Sequence, residues 1–299
     1  MSLNWKLDSI SLPRDRRVLA GVGAVSLGVV PLLSYAIYSY RRWLELGPGG
    51  VPYDVRGWLA NVVARPFARF DLRAIAPYTV EDTEPMYGGS LRHGSFFSKV
   101  AGEDGLPPLP PARPGARPDV PTFVVPQRQM TEQASQAILA KQEAFIAAVA
   151  AANASLLRLE PSALEGRTHD ALWLAARDDE DIGGESGDDR RFPAPLRRTQ
   201  GEFLHPHREG SSHAIFSLAD ATRLIELGWA ERHPLTGSKM RMGLPWSYVL
   251  IYAPRNDSEL AVWMDIVMAA VHFVALASQY TVDVETPSKE GFCGFKVVS

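Results

Sequence analysis

A long apolar run lies near the start of the chain, from Val18 to Tyr40, and it contains no charged residue. A helix needs about 20 such residues to cross the hydrocarbon core of a membrane. Arginines flank the run on both sides, and tyrosines together with Trp43 cluster at its end, where aromatic rings suit the headgroup region. A cleaved signal peptide would be shorter and would not carry Arg41 and Arg42 where cleavage falls. The pattern therefore predicts a retained transmembrane anchor over 18–40, preceded by a tail over 1–17.

The next part of the chain, 41–101, has the pattern of a juxtamembrane segment. Apolar residues recur at helical spacing between Trp58 and Phe70, which predicts a short amphipathic helix. This helix either packs on the domain or lies on the membrane surface, and the spacing leaves both interpretations open.

Residues 102–121 are so rich in proline that helix and sheet interiors are excluded, which predicts an extended linker or surface loop.

The remaining residues, 122–299, alternate between helical and strand patterns and predict the folded domain. Thr131 is a suitable N-cap for a helix that runs to about Ala152. Short apolar strands are predicted at 156–159 and 171–175. The charged, glycine-rich run at 178–191 predicts a solvated loop.

A hairpin and a capped helix follow. Strands at 202–207 and 212–216 are separated by a short polar turn, which is typical of a β-hairpin. Ser217 is placed to cap the next helix, with Asp220 where the acid of a capping box would lie. Gly228 ends that helix in the position that favours glycine.

The last two elements complete the expected architecture. The run 246–252 is apolar almost throughout, as in a central strand, and Asn256 begins a long helix with an apolar face. The order of helices and strands predicts an α+β domain whose mainly antiparallel sheet is covered by helices. One N-terminal transmembrane helix is expected to precede this domain.

Composition and charge exclude several kinds of partner and site. Hydrophobic residues make up 46% of the 299-residue chain, which is enough for a packed core. The formal net charge of −3 argues against a phosphate-binding surface, so we expect no nucleic-acid partner. Cys293 is the single cysteine, which excludes an intrachain disulfide and a cysteine-rich zinc site. The lack of disulfides favours a domain on the cytosolic side of the membrane.

Histidines are the main candidates for chemistry. His205 and His207 are two apart on a predicted strand and point to the same face, and His213 lies on the partner strand of the hairpin. Glu202 would point to the opposite face unless a bulge intervenes. His233 follows the second helix. Three interpretations remain open: a divalent metal held by the first three histidines with Glu202 or His233, a metal-free site that transfers protons, or hydrogen-bonded structural histidines.

Two arginines and four aromatic residues lie near the same region. Arg232 and Arg255 flank it, and an arginine fork suits an enolate, a carboxylate or a lactone oxygen. Candidates for the walls of a pocket that binds a flat ligand are Trp229, Trp246, Tyr248 and Tyr252. The alternative is that the arginines form salt bridges and that the aromatic residues belong to the core. The sequence contains neither a glycine-rich phosphate loop after a strand nor a G-x-S-x-G elbow.

The runs at 205–237 and 246–267 resemble the fungal luciferase family. The resemblance covers roughly 130–273, and the N-terminal membrane helix is also a feature of that family. Its most specific elements are Glu202-x-x-His205-x-His207, Ser212-His213, Gly228-Trp229-x-Glu231-Arg232-His233-Pro234-Leu235 and Tyr252-Ala253-Pro254-Arg255-Asn256. The hairpin turn at 208–211 lacks a histidine and an aromatic residue that accompany luminous members, so fold and site location transfer better than light emission.

The resemblance implies an oxygenase of fungal secondary metabolism. Luminous members oxidise 3-hydroxyhispidin, a 3-hydroxy-2-pyrone, with molecular oxygen, and carbon dioxide is lost from a peroxidic intermediate. Flavin, haem and ATP are not required, so molecular oxygen is the expected co-substrate and no cofactor is expected. A histidine-bound metal, held by His205, His207 and His213, is the alternative.

We therefore expect a membrane-anchored oxygenase of a 3-hydroxy-2-pyrone or another enolisable aromatic small molecule. The histidines would take the enol proton, and Arg232 or Arg255 would hold the enolate. The chain would contact lipid through 18–40 as a single-pass protein of the endoplasmic reticulum or another internal membrane. Two further hypotheses are a metal-dependent oxygenase or hydrolase, and a membrane-tethered protein that binds a small molecule without catalysis.

Overall fold

The N-terminal helix forms a unit by itself. The computed structural model describes residues 16–88, 90–99, 105–176, 191–238, 243–279 and 283–293. The chain divides into two compact units, Met1–Glu45 and Leu46–Ser299. The first contains α1 (Arg16–Leu44), a helix of 29 residues that includes the predicted anchor. At 1.5 Å per residue it is about 44 Å long, and it exposes Leu32 and Ile37. Its membrane-spanning role stays a prediction.

The predicted amphipathic helix is present as α2 (Val55–Ala64), followed by a 3-10 turn at Arg65–Phe67. The side of α2 that packs against the domain is not its apolar side. Asn61 is buried, and its side-chain oxygen accepts hydrogen bonds from the backbone N–H groups of Val124 and Val125 at 2.7 and 3.0 Å. The apolar side chains of α2 point away from the domain, and Val63 is 68% exposed.

The proline-rich segment belongs to the second unit and is packed against it. Its described part, 105–121, is extended and runs along the domain. The Arg113 N–H donates to the carbonyl of Leu227, and the Trp229 indole donates to the carbonyl of Pro111. These contacts make it a strap on the domain surface and not a free linker. Two very short helices, α3 (Val80–Thr83) and α4 (Ser90–His93), lie before it.

Helix α5 (Gln136–Ala152) precedes the first two strands, β1 (Leu157–Pro161) and β2 (Asp170–Leu174). It begins later than predicted. Ser135 is the N-cap and accepts a hydrogen bond from the Ile138 N–H. Thr131 instead accepts from the backbone of Asp119, so it was the wrong cap. The predicted loop at 178–191 lies outside the described residues apart from Arg191.

The sheet is antiparallel throughout its described pairs. Its later strands are β3 (Glu202–Pro206), β4 (Ser212–Ile215), β5 (Ala230–Arg232) and β6 (Tyr248–Ile251). Within the described residues the six strands follow the order β1-β2-β3-β4-β6-β5. The prediction of helices combined with a mainly antiparallel sheet is confirmed. Strand β5 was missed, because three residues are too few to show a period of two.

Three helices follow the hairpin: α6 (Leu218–Glu226), α7 (Asp257–Ser278) and the short α8 (Glu290–Cys293). Ser217 caps α6 as predicted, but the Asp220 carboxylate accepts hydrogen bonds from Ser95 and Phe96 instead of completing a capping box. Helix α7 has the length and apolarity of a membrane span, yet 78% of its most apolar window is buried inside the domain. It packs on one face of the sheet, where Trp263 donates to the Ser212 hydroxyl at 3.2 Å.

Candidate functional site

The second face of the sheet, opposite α7, carries a buried cluster of histidines. Ser212 and Ala214 of β4 face α7, so His213 between them points to the other side. His213 is the direct cross-strand partner of His205, and His207 lies two residues further along the chain. All three side chains are 3% exposed or less. The hairpin predicted from the sequence therefore brings these three rings together.

One nitrogen from each ring points inward. His205 Nε2 lies 3.2 Å from His213 Nδ1, and His207 Nε2 lies 3.1 Å from the same atom. The other ring nitrogens face hydrogen-bond partners outside the cluster. The arrangement is thus a ring of three nitrogens around one small volume.

Glu202 reaches the cluster because β3 contains a bulge. Leu172 of β2 pairs with Leu204 and Trp173 pairs with Glu202, so β3 has one extra residue at Phe203. The bulge reverses the alternation and turns Glu202 towards the histidine face. One carboxylate oxygen accepts from His205 Nδ1 at 2.7 Å and the other accepts from backbone N–H groups of the β1–β2 turn. Glu202 therefore orients His205 and does not face the three inward nitrogens.

The two other histidines are oriented by partners of their own. His207 Nδ1 lies 2.8 Å from the hydroxyl oxygen of Ser211, whose proton goes to Glu209. His213 Nε2 lies 3.1 Å from the side-chain oxygen of Gln127. Because each partner atom accepts, each of these outward ring nitrogens carries the proton.

Glu165 brings a carboxylate to the inward side. It lies in the turn between β1 and β2, and its Oε1 is 3.7 Å from His205 Nε2 and 3.6 Å from His207 Nε2. Its other oxygen accepts a hydrogen bond from the buried guanidinium of Arg128. The four donor atoms of Glu165, His205, His207 and His213 all lie within 4.8 Å of one another.

A cavity of about 350 Å³ borders the cluster and contains His213, Glu165, His233 and Tyr248 in its wall. Its volume lies within the usual range of about 300–1,000 Å³ for small-molecule sites. Tyr248 stacks on His213 with ring centroids 4.9 Å apart. His233 lies 5.3 Å from His213, and its Nδ1 accepts the Leu235 N–H at 3.1 Å. His233 Nε2 therefore carries the proton and is a hydrogen-bond donor at the cavity wall.

Burial controls the charge of these groups. Burial lowers the pKa of His207 and His213 well below 6.5, and the neighbouring cationic forms lower it further. Burial also lowers the pKa of His233 to about 3. Burial alone would raise the pKa of Glu202, but the hydrogen bonds from His205 and Ser162 outweigh it and lower the pKa. These histidines are consequently neutral at physiological pH.

The two arginines proposed to bind substrate serve other contacts. Arg232 is fully buried and donates to the carbonyls of Ala74, Ile75 and Trp246. Arg255 pairs with Glu259 at the start of α7. Neither lines the cavity. Both arginines stabilise the fold, because their donors are directed at these partners. Among the described residues of the cavity wall, the arginine is Arg198.

Three of the four aromatic candidates lie outside the cavity wall. Trp229 packs in the core and beneath the strap, and Trp246 packs against Tyr78 with ring centroids 5.4 Å apart. The Tyr252 hydroxyl donates to Glu231 at 2.9 Å. These residues support the sheet around the site, and Tyr248 is the aromatic residue that borders the cavity.

Sequence reasoning missed Glu165, Gln127 and Arg128. A signal for Glu165 existed, since it lies between two predicted strands whose connection had to fall at one end of the sheet. Gln127 and Arg128 belong to an irregular segment without periodicity, and their contacts join residues more than 35 positions apart. Such contacts are set by tertiary packing alone.

Comparison with known proteins agrees with this site. The family model of the Luciferase domain matches residues 200–270, which include His205, His207, His213 and His233. The luciferase of Armillaria mellea is 27% identical over 266 residues, which cover 87% of this chain and 90% of that protein. The luciferase of Neonothopanus nambi is 25% identical over 279 residues, covering 91% and 92%. No solved structure matches the chain. The resemblance predicted from the motifs is confirmed, because the chain matches the Luciferase domain and is similar to the fungal luciferases along most of its length.

Proposed function

We propose that this chain is a membrane-anchored oxygenase whose substrate is a planar, enolisable small molecule of the 3-hydroxy-2-pyrone type. The observation that carries the proposal is the cavity of about 350 Å³ beside the histidine cluster, whose wall includes His213, His233 and Tyr248 from the stretch that matches the Luciferase domain. A cleft of this size with a converging set of titratable side chains is the usual form of an active site.

The cavity offers groups suited to an enolate. The N–H at His233 Nε2 can donate a hydrogen bond to the enolate oxygen. Arg198, whose guanidinium donates to the carbonyl of Gly243 at 2.8 Å, adds a positive charge to the same wall. The described wall also contains Leu235 and Leu244, whose apolar side chains exclude water from a peroxide. In this reaction the substrate binds as its enolate, having lost its hydroxyl proton to solvent. Molecular oxygen adds to the enolate as the oxidant, and the resulting peroxide loses carbon dioxide.

The neutral state of the buried histidines changes their proposed role. An imidazole whose pKa lies far below 7 holds a proton poorly at physiological pH, so it is a weak general base. We therefore assign His233, as a neutral hydrogen-bond donor at the cavity wall, to holding the anionic substrate, in place of the proton-carrier role that the sequence suggested.

Two features support the membrane anchor. Helix α1 has 29 residues and is therefore longer than the roughly 20 needed to cross the hydrocarbon core. The surface of the domain near its start exposes a group of large apolar side chains, namely Leu59, Val62, Val63, Phe67 and Phe70. Exposed apolar side chains of this kind, next to the exposed Arg65, suit the surface of a bilayer.

The proposal is tested by oxygen consumption of the full-length chain in detergent. The substrates are 3-hydroxyhispidin and simpler 3-hydroxy-2-pyrones, and light is recorded in the same cell. We expect oxygen uptake with release of carbon dioxide. Binding of these pyrones without oxygen uptake would instead identify a non-catalytic binding protein. For variants at the histidine cluster, His169→Gln is the matched control, because His169 belongs neither to the cluster nor to the wall of the cavity beside it.

A further inference from the structure

Each ring of the histidine cluster turns one nitrogen inward and the other towards an acceptor. His205 Nδ1, His207 Nδ1 and His213 Nε2 face acceptors outside the cluster, and a ring proton on each of these outer nitrogens leaves a lone pair on the inward one. The inward atoms are only 3.1 and 3.2 Å apart. With the protons on the outer nitrogens, the inward lone pairs repel one another at this separation. A cation between them removes that repulsion.

A change of tautomer does not relieve the repulsion. Gln127 donates from its amide nitrogen to Glu231 and to the carbonyl of Arg232, at 3.3 and 3.0 Å, so its oxygen must face His213. If the amide were reversed, its oxygen would face two acceptors. Glu209 likewise takes the proton of the hydroxyl that faces His207. The surroundings therefore hold the rings in the orientation that directs lone pairs inward.

Carboxyl groups outnumber guanidinium groups around the cluster. The described side chains there include three buried carboxyl groups, those of Glu165, Glu202 and Glu209, and one buried guanidinium, that of Arg128. Each carboxyl group accepts hydrogen bonds from its neighbours. A pocket built from carboxyl oxygens and imidazole nitrogens is suited to a cation.

We propose that Glu165, His205, His207 and His213 bind a divalent first-row transition-metal ion. Ligand atoms about 2.0–2.2 Å from one ion lie about 3–3.5 Å from each other. Four pairs of the proposed ligand atoms are 3.1, 3.2, 3.6 and 3.7 Å apart, and all lie within 4.8 Å of one another. Imidazole with carboxylate suits iron, copper, nickel and zinc better than calcium or magnesium. Glu202, Ser211 and Gln127 are the outer acceptors that metal-binding histidines usually require.

The site lies where a metal ion would meet the ligand. His213 and Glu165 belong both to the cluster and to the cavity wall, so one side of the ion faces the cavity. A 3-hydroxy-2-pyrone carries two adjacent oxygen atoms that can bind one ion together. This part of the inference rests on the proposed oxygenase function, whereas the metal site itself rests on the geometry of the four side chains.

The test measures metal in the full-length chain, purified in detergent without chelators. We expect about one equivalent of a first-row metal per chain, or one equivalent of Co²⁺ after chelator treatment and reloading. Bound Co²⁺ should show visible d–d absorption that changes when a 3-hydroxy-2-pyrone is added. His207→Gln and Glu165→Gln should weaken Co²⁺ binding by more than the roughly 10–100-fold expected for loss of an outer partner. His169→Gln is the control and should retain the metal.

Thermal unfolding of the wild-type chain covers the case in which a variant fails to fold. Co²⁺ should raise Tm and a chelator should lower it, since an ion that binds only the folded chain stabilises it. A folded wild-type chain that takes up no metal and shows no change in Tm overturns the proposal. Metal binding without oxygen uptake supports the metal site and overturns the oxygenase, and full oxygen uptake by metal-free chain overturns the role of the ion in the reaction.

Discussion

Replacing Glu202 by Gln should destabilise the domain strongly, although the two side chains have nearly the same shape. Glu202 is fully buried and accepts four hydrogen bonds. Ser162 and His205 donate to Oε1 at 2.6 and 2.7 Å, and the N–H groups of Ala163 and Leu164 donate to Oε2 at 2.9 and 3.2 Å. A carboxylate satisfies all four donors, because both of its oxygens accept.

An amide satisfies only two of these donors. If its oxygen faces His205, its NH₂ group faces the two backbone N–H groups, which then lack an acceptor. Each unsatisfied buried donor costs about 1–3 kcal/mol, so the free energy of unfolding should fall by about 2–6 kcal/mol. If the amide turns round, His205 must move its proton to Nε2, which removes one inward lone pair of the cluster.

Urea denaturation at pH 7, followed by tryptophan fluorescence, measures this loss. Glu160→Gln is the matched control, since this residue lies on β1 of the same sheet and its side chain is 52% exposed. The control should change the free energy of unfolding by less than about 0.5 kcal/mol. A Glu202→Gln variant as stable as the control would refute the view that both carboxylate oxygens are needed as acceptors.

Three further perturbations test other parts of the structure. Burial lowers the pKa of His233 to about 3 from 6.5, so the unfolded chain binds the proton first and stability is lost as pH falls below 6.5. This residue contributes about 2 kcal/mol to the loss between pH 7 and pH 5. Because the pKa values of His207 and His213 are lowered as well, urea titrations should show a loss in His233→Gln that is smaller than in wild type by about that amount. Arg232→Lys should lower the free energy of unfolding by about 2–4 kcal/mol and leave KM unchanged, because the Arg232 guanidinium binds three backbone carbonyls away from the cavity. A raised KM at unchanged stability would contradict this prediction. Deleting residues 1–45 should move the chain from alkaline-washed membranes to the supernatant, and Val63→Asp in that shorter chain should remove remaining binding to lipid vesicles; sedimentation of the shorter chain with washed membranes would argue against α1 as the anchor.

Much of the fold follows from local patterns. Ser217 and Asn256 are N-caps in the structure as the sequence predicts, because a cap needs only a short polar side chain within reach of the next turn. The hairpin that carries His205 and His213 was also predicted, since alternation and a polar turn are local signals. Local patterns misplaced the start of α5, where Thr131 and Ser135 are both suitable caps and packing selects the second.

The sequence by itself determined which strands carry the histidines and that His205, His207 and His213 share one face. It did so because the period of two along a strand and the reach of a hairpin are properties of neighbouring residues. Only the tertiary structure decided that Glu202 joins this face through a bulge, that Glu165 and Gln127 complete the cluster, and that Arg232 turns away from it. Those outcomes depend on contacts between residues distant in sequence, where packing and the need to satisfy every buried donor outweigh local pattern.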